Sequence, residues 1–153
     1  MSAIRRGTSA DLQQVMSIAS EAETAAHWRP ADYGQVFSSS RILLVAEAEK
    51  KIVGFVIAHD ITGEWELENV AVAVEHQCCG VGQQLLRELI RAAQSNAAKC
   101  ILLEVRESNS VARKLYERCG FQQYGRRKSY YVNPSEDALL YRFLCNPAAL
   151  ENC

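Results

Sequence analysis

The stretch His76-Gln77-Cys78-Cys79-Gly80-Val81-Gly82 decides the fold of this chain, because it joins two segments of different character. Before it lies an apolar run typical of a strand, Leu67 to Val74, and after it an amphipathic helix begins at Val81. Two glycines in a strand-to-helix turn let backbone N–H groups converge, and the helix N-terminus adds partial positive charge. The pattern predicts a seat for a pyrophosphate.

What this turn lacks limits the kind of phosphate that it suits. It has neither the Lys-Ser or Lys-Thr pair that holds a γ-phosphate and its magnesium, nor the glycine spacing of a dinucleotide fingerprint. Its donors are backbone N–H groups from Cys78 to Gln83, with the helix dipole behind them. Such donors suit a diphosphate that is esterified on both sides. Because a lone Gly-x-Gly is a weak signal, a plain strand-to-helix turn is the alternative.

The totals describe one ordinary globular domain, residues 1–153. The chain is 48% hydrophobic and 23% charged, and its formal net charge of −1 gives no reason to expect nucleic acid or an anionic membrane as a partner. No apolar run approaches the roughly 20 residues of a membrane span, and the N-terminus lacks the apolar segment of a signal peptide. We therefore expect a cytoplasmic protein.

The six cysteines form no CxxC pair and have no zinc-finger spacing to histidine, so no metal is expected. The thiols predicted to be buried and reduced are Cys100, Cys119 and Cys145. Cys78 and Cys79 differ because they lie in the glycine turn, and the terminal Cys153 is expected to fray.

Strand-like and helix-like segments interleave in the order β-α-α-β-β-β-α-β-α-β-β, which predicts an α/β (α+β) layered domain. Hairpins early and late favour a mixed sheet over an all-parallel one. The predicted strands are residues 4–6, 41–47, 51–58, 64–74, 99–105, 121–131 and 138–144. The predicted helices follow a capping box at Thr8–Asp11, run from Pro30 to about Phe37, start at Val81, and follow a cap at Ser108 or Asn109. The stripe predicted for the last helix is Val111, Ala112, Leu115, Tyr116 and Cys119.

Two side chains in the second half suit acid–base chemistry. Glu104 ends an apolar run that starts at Cys100, so its carboxylate is placed at the edge of the core, where partial removal from water would make it a better base. A salt bridge to Arg106 or another arginine is the alternative. Tyr116 lies on the apolar face of the last helix, and its hydroxyl needs a partner if it is buried. A tyrosine of the core is the alternative there.

Other polar positions also have two interpretations. The glutamates within residues 64–68 share one strand face, most simply a solvated one, and the last of them, Glu68, is predicted to lie near the cleft of Glu104. Asn109 is a helix cap, a role compatible with a ligand contact. The basic and aromatic run 126–131 suits a phosphate site, a substrate groove or a solvated hairpin tip.

Several motifs resemble the GNAT superfamily of acetyl-CoA-dependent N-acetyltransferases, and within it the RimI branch of ribosomal-protein-alanine N-acetyltransferases. That branch shows a Leu-Glu-Val-Arg-x-Ser-Asn run, a Leu-Tyr-x-x-x-Gly-Phe helix end, a basic pair before Tyr-Tyr, and Glu-Asp-Ala near the end. The corresponding residues are Leu103–Asn109, Leu115–Phe121, Arg127-Lys128 with Tyr130-Tyr131, and Glu136-Asp137-Ala138. The resemblance covers nearly the whole chain. It implies the GNAT fold, a mixed, mostly antiparallel sheet of about seven strands flanked by about four helices.

The resemblance implies acetyl-CoA as the cosubstrate and assigns residues to it. Main-chain hydrogen bonds to the pantetheine arm and the acetyl carbonyl would come from Val70, Ala71 and Val72, as in an added strand. The pyrophosphate cradle would be Cys78, Cys79, Gly80, Val81, Gly82 and Gln83. Asn109 would contact coenzyme A.

The resemblance also implies the catalytic and acceptor-side residues. Glu104 would be the general base for the incoming amine, acting through water, and Tyr116 would protonate the departing thiolate. Glu68 and Tyr131 are predicted to contact the substrate.

The chain departs from the family pattern at two places. Cys78 replaces the arginine of the usual Gln-Arg-x-Gly-x-Gly turn, and Gln83 replaces the arginine that often follows, so weaker cofactor binding is expected. A nucleophilic cysteine is not expected there, because direct transfer needs no acyl-enzyme. The segment Ala26-His27-Trp28 stands where Phe-Pro-Trp is usual, which leaves the substrate preference open.

The function implied is acetylation of the N-terminal alanine of a small-subunit ribosomal protein, by direct transfer, in a monomer or weak homodimer. A related transferase acting on lysine, a polyamine or a small antibiotic amine is one alternative. A catalytically idle acetyl-CoA-binding module is another.

Overall fold

The computed structural model describes residues 2–22 and 25–146, so the predicted fraying of Cys153 lies outside the described residues. Strands and helices follow the predicted order: β1 (Ala3–Arg6), α1 (Leu12–Glu21), α2 (Pro30–Gly34), β2 (Arg41–Ala48), β3 (Lys51–Ile61), β4 (Glu64–Val72), α3 (Val81–Ser95), β5 (Cys100–Arg106), α4 (Ser110–Arg118), β6 (Gln122–Tyr131) and β7 (Glu136–Leu144). Short 3₁₀ turns occupy Ser9–Asp11, Val36–Ser38 and Val74–His76. No helix among these residues is long and apolar enough to span a membrane.

One seven-stranded sheet, in the order β1-β2-β3-β4-β5-β7-β6, organises the molecule. Every neighbouring pair is antiparallel except β4 and β5, which are parallel. The mixed sheet and the four helices confirm the predicted fold class.

The core lies on both faces of the sheet. Residues 52–58 of β3 are all buried, because α3 covers one face of the central strands and α1 covers the other. The stripe of α3 is buried as predicted, and Trp65 of β4 is the largest fully buried side chain on the α3 face. Cys100 is buried as predicted, whereas Cys119 and Cys145 are only half-buried.

The structure corrects the predicted stripe of α4. Val111 is 73% exposed, whereas Ala112 and Tyr116 are buried. The side chain of Leu115 packs against Gly82 of α3, at 3.1 Å from where a Cβ would lie. Val111 is one turn nearer the start of α4 and lies outside that contact.

The parallel junction between β4 and β5 is short, and this feature creates the site. Only three residue pairs join the strands, from Glu64↔Cys100 to Glu66↔Leu102. Beyond them the two strands separate, although β4 stays paired with β3 up to Val72. A gap therefore opens in the middle of the sheet. The strand predicted to reach residue 74 ends at Val72, because the chain turns into the 3₁₀ turn there.

A second irregularity lies at the far edge of the sheet. The β6–β7 register runs from Arg127↔Ala138 to Tyr131↔Glu136, so residues 128–130 oppose residue 137 alone. Ser129 within this bulge has φ +50°, and its N–H donates to Asp137 Oδ1 at 2.9 Å. The bulge bends the end of β6 away from the regular ladder.

Asp11 anchors the start of α1, and it should make stability depend on acid pH. Its carboxylate accepts hydrogen bonds from the Arg5 guanidinium at 2.8 and 2.9 Å and from the Thr8 N–H at 2.8 Å. The Arg5 hydrogen bond is the main reason that the pKa of Asp11 falls from 3.8 to about 2. Because the folded-state pKa is the lower one, the stabilisation is present above pH 3.8 and is lost as the pH falls toward 2.

We expect Asp11→Asn to lower the free energy of unfolding at pH 7 by roughly 2 kcal/mol. Urea unfolding of the two proteins between pH 7 and pH 2 should show this difference shrinking below pH 4. The exposed Glu75, changed to Gln, serves as the control. A difference that is independent of pH would contradict the ion-pair explanation.

Candidate active site

A cavity of about 700 Å³ fills the gap between β4 and β5. Its walls come from five places: residues 66–70 of β4, residues 102–106 of β5, the loop 25–28 before α2, α4 with its cap, and β6. Strand separation supplies the space, and the bulge of β6 directs side chains toward it. This cavity has the size and mixed polarity of a small-molecule site.

Six of the fourteen predicted site residues meet here. The predicted residues that line the cavity are Glu68, Val70, Glu104, Asn109, Tyr116 and Tyr131. The glycine turn does not line it but follows β4 through the 3₁₀ turn 74–76, beyond the end of the gap.

Glu104 faces the cavity from β5. Its side chain is 32% exposed and lies 3.5 Å from Arg127 Nε, so the alternative of a salt bridge to an arginine is present. Arg106, the other partner considered, instead pairs with Glu136 at 3.2 Å. An ion pair this open to solvent is weak, on the order of 0–1 kcal/mol. The carboxylate therefore remains accessible to an incoming cation.

Tyr116 faces the same cavity from α4. It is only 5% exposed, and burial raises the pKa of its hydroxyl. Its ring packs against Phe121 and Tyr141, with centroids 5.8 and 6.3 Å away. Among the described residues no hydrogen bond fixes its hydroxyl. The side chain is held by packing, so the O–H is free for a ligand in the cavity.

Successive residues of β4 turn their main-chain N–H and C=O groups alternately to β3 and to the gap. The Ala73 N–H donates to the Val53 carbonyl at 2.8 Å, which fixes which pairs of the β3–β4 ladder are hydrogen-bonded. Because bonded pairs alternate along an antiparallel ladder, Ala71 turns its N–H and C=O to β3, and Val70 and Val72 turn theirs to the gap. The prediction for Ala71 as a main-chain ligand is therefore wrong.

One of the main-chain groups that face the gap, the Val72 carbonyl, has a partner within the chain. Gln77 Nε2 donates to the Val72 carbonyl at 3.2 Å, just before the glycine turn. A ligand that pairs with this carbonyl would replace that side chain.

The glycine turn has the conformation that its sequence predicts. Cys78 and Gly80 have φ +62° and +84°, and Gly80 caps α3. The first hydrogen bond of the helix runs from the Gln84 N–H to the Gly80 carbonyl, so the N–H groups of residues 81–83 have no partner within the helix. The side chains of Cys78 and Cys79 are exposed.

Asn109 has the predicted capping role, and its contact with coenzyme A stays a prediction. Its Oδ1 accepts from the Ala112 N–H at 3.1 Å and caps α4, and the residue also lines the cavity.

Glu68 is less available than its prediction implies. Arg41 binds both of its oxygens, at 2.6 and 3.2 Å. It lines the cavity as a neutralised pair, and it also borders a smaller pocket of about 270 Å³ beside Trp28 and Asp32.

Sequence reasoning missed other lining residues. Tyr124 and Glu66 line the cavity. Tyr130 lines it too, as the substrate-groove interpretation of the run 126–131 predicts, and its hydrogen bond with Glu104 raises its pKa. Glu66 looked like part of a solvated face, and Tyr124 lies on a strand that is not adjacent to β5. Only the sheet order places these side chains at the cavity.

The loop 25–28 is held over the cavity by a buried amide, also unpredicted. Asn69 is 2% exposed. Its Oδ1 accepts from the Ala26 N–H at 3.1 Å, and its Nδ2 donates to the Tyr33 hydroxyl at 3.1 Å. Asn69 thereby positions His27 and Trp28, which line the cavity.

A sheet whose central strands separate, with a glycine turn after β4, is the arrangement found in one class of acyltransferases. The sequence pattern of the acetyltransferase (GNAT) family matches residues 11–121. A [ribosomal protein bS18]-alanine N-acetyltransferase of Haemophilus influenzae is 39% identical over 118 residues, 75% of this chain and 80% of that protein. The crystal structure of the ribosomal-protein-S18-alanine N-acetyltransferase from Escherichia coli superposes with a TM-score of 0.86 at 27% identity, covering 95% of each chain.

The chain belongs to the acetyltransferase (GNAT) family, within its ribosomal-protein-alanine N-acetyltransferase branch, and is an N-acetyltransferase. Enzymes of this family use acetyl-CoA. Within residues 2–22 and 25–146, no cluster of His, Cys, Asp and Glu is arranged to hold a metal ion.

Proposed function

We propose that this chain transfers acetyl from acetyl-CoA to the N-terminal α-amine of a protein, with the alanine of ribosomal protein bS18 as its acceptor. The observation that carries the proposal is that Glu104 and Tyr116, on different elements, face one cavity beside the free edge of Val70. We also propose that residues 1–153 form one domain. The cytoplasmic location, the absence of nucleic acid from the site and the monomeric or weakly dimeric state stay predictions.

The chain fits the cosubstrate. Val70 and Val72 offer N–H and C=O groups at a parted strand edge, which suits the amides of a pantetheine arm. Unpaired N–H groups at the start of α3 suit a pyrophosphate, and Asn109 lies across the gap on α4. When bound, acetyl-CoA supplies a thioester with an activated acetyl group.

Glu104 accepts the proton that the acceptor must lose. An α-ammonium has a pKa of roughly 8, against roughly 10.4 for lysine, so deprotonation by a carboxylate is easier at a protein N-terminus. The open side of the Glu104 carboxylate gives such a cation room to approach. Holding the amine there converts a bimolecular step into a positioned one.

Tyr116 holds a proton where the thiolate would leave. Because burial raises its pKa, the hydroxyl stays protonated throughout the neutral range. The N–H of Val72 points into the gap, where it can stabilise negative charge that develops on a carbonyl oxygen. The general acid Tyr116, the general base Glu104 and the N–H of Val72 thus come from three separate elements around the gap.

Incubation with acetyl-CoA and an alanine-starting peptide tests the proposal. Mass spectrometry should show one acetyl group on the α-amine. An N-terminally blocked peptide with an internal lysine, and spermidine, should react much more slowly. Preference for either of those amines would favour the alternative transferase, and acetyl-CoA binding without any transfer would favour the idle module.

Restoring a basic residue in the glycine turn tests whether the turn binds the pyrophosphate of coenzyme A. We expect Gln83→Arg to tighten coenzyme A binding by a few-fold, about 0.5–1 kcal/mol, because it adds charge beside the first turn of α3. Calorimetry at low and high salt should show the gain fading with salt. Gln94→Arg makes the same change at the exposed far end of α3 and should have no effect. Equal effects of the two variants would contradict a pyrophosphate site at the turn.

A further inference from the structure

The tyrosines at the tip of the β6–β7 hairpin, Tyr130 and Tyr131, form what we call the acceptor wall. Both line the cavity beside Glu104, although β7 lies between β6 and β5. They reach it through the bulge at residues 128–130. A bulge is a local distortion that other contacts have to hold in place.

Arg106 contacts the part of the hairpin tip that follows the bulge. Its guanidinium lies 4.3 Å from the ring centroid of Tyr131, and its nitrogens donate to the carbonyls of Pro134 at 3.2 Å and Val132 at 3.4 Å. It also pairs with Glu136 at 3.2 Å. A single side chain of β5 therefore binds four successive parts of the hairpin tip. A planar guanidinium can stack its face on a ring while its edge donates in a fixed fork, whereas an ammonium has no flat face to stack.

Glu136 anchors this arginine from the other side. Its second oxygen accepts from the Ser108 N–H at 2.5 Å, in the loop that follows β5. Hydrogen bonds from Ser108 lower the pKa of Glu136, so the carboxylate is ionised at neutral pH. The glutamate of the Glu-Asp-Ala motif thus has a structural partner at each end, and the neighbouring Asp137 holds the bulge through Ser129.

Arg106 also stands in a fixed relation to the proposed base. It follows Glu104 by two positions on β5, so both side chains lie on the same face of the strand. The strand that carries the base therefore also carries the residue that holds the wall opposite it.

We propose that Arg106, anchored by Glu136, is a positioning residue that sets the distance between the acceptor wall and Glu104, and so governs binding of the acceptor peptide. This inference rests on the proposed function. It assigns Arg106 no contact with the reacting atoms, and it predicts that the cofactor side is independent of this residue.

Arg106→Lys tests the inference, because it keeps the charge and removes the stacking and forked donation. We expect KM for an alanine-starting peptide to rise about tenfold, with KM for acetyl-CoA unchanged. Calorimetry of the same peptide with the coenzyme A-bound protein should show an equal loss of affinity. Arg5→Lys is the matched control, since Arg5 likewise pairs with carboxylates, those of Asp11 and Glu47, but lies on β1.

Tyr131→Ala and the double variant decide whether Arg106 acts through the wall. If it does, the double variant should bind peptide no more weakly than the worse single variant. Additive losses, an unchanged peptide KM in Arg106→Lys, or a parallel loss of peptide and coenzyme A affinity would each overturn the inference. A wild-type protein that acetylates no peptide would instead overturn the proposed function. Even then, the calorimetric comparison would still test the role of Arg106 in peptide binding.

Discussion

Glu104→Gln is expected to lower kcat for peptide acetylation about 100- to 10,000-fold, the usual contribution of a positioned general base. The amide has the same shape but cannot accept the proton of the acceptor amine. Coenzyme A binding should be unchanged, because the gap edge of β4 and the glycine turn supply those donors. Steady-state kinetics and calorimetry on the same preparation measure the two effects.

The control for this experiment lies at the parallel junction. Glu64→Gln makes the same change on β4, at a residue paired with Cys100 and outside the cavity lining. It should keep nearly full activity. A Glu104→Gln enzyme with more than about a tenth of wild-type kcat would exclude Glu104 as the base.

Tyr116→Phe is expected to lower kcat about 10- to 1,000-fold, because the leaving thiolate loses its proton donor. The fold should be unaffected, since the ring contacts to Phe121 and Tyr141 are those of an aromatic ring and not of a hydroxyl. Thermal unfolding of the variant checks that point.

Tyr141→Phe should give the opposite result. Its hydroxyl donates to Glu117 at 2.8 Å and accepts from Arg113 at 3.2 Å. Losing it should cost about 1 kcal/mol of stability with little change in kcat. If the two tyrosine variants lost activity and stability in equal measure, Tyr116 would be a core residue without a chemical role.

The raised pKa of Tyr116 also sets a pH expectation for the wild-type enzyme. Because burial shifts it upward from 10, the donor stays protonated throughout the mildly alkaline range. The alkaline limb of kcat should therefore not appear below about pH 10 through this residue.

Periodicity predicted the elements well because each is governed by local pattern. The start of α3 follows from two glycines and an apolar stripe, and every predicted strand exists. Val111 was misplaced because helical spacing identifies a face but not whether a neighbour covers it. Val111 and Leu115 share a face, but Leu115 packs against Gly82 of α3 and Val111 is 73% exposed.

Positions at the cavity were predictable where a local motif contains the residue, and not where the order of strands in the sheet brings residues together. Glu104, Tyr116 and Asn109 lie in or beside recognisable runs and do reach the cavity. The prediction for Ala71 was wrong because the β3–β4 register decides which residues of β4 turn their main-chain groups to β3. Arg127 as the partner of Glu104, and Tyr124 as a lining residue, depend on strand order, which no local pattern contains.

The short junction between β4 and β5 has a consequence for the stability of the protein. Only three residue pairs join the antiparallel strands β1 to β4 directly to the antiparallel strands β5 to β7. A cosubstrate bound in the gap would contact the edge of β4, the start of α3 and α4. It would then connect the two parts of the sheet as well as react. The loaded protein would then be the stiffer one, resisting heat and proteases better than the empty one. Each release of product would briefly return the molecule to its looser form.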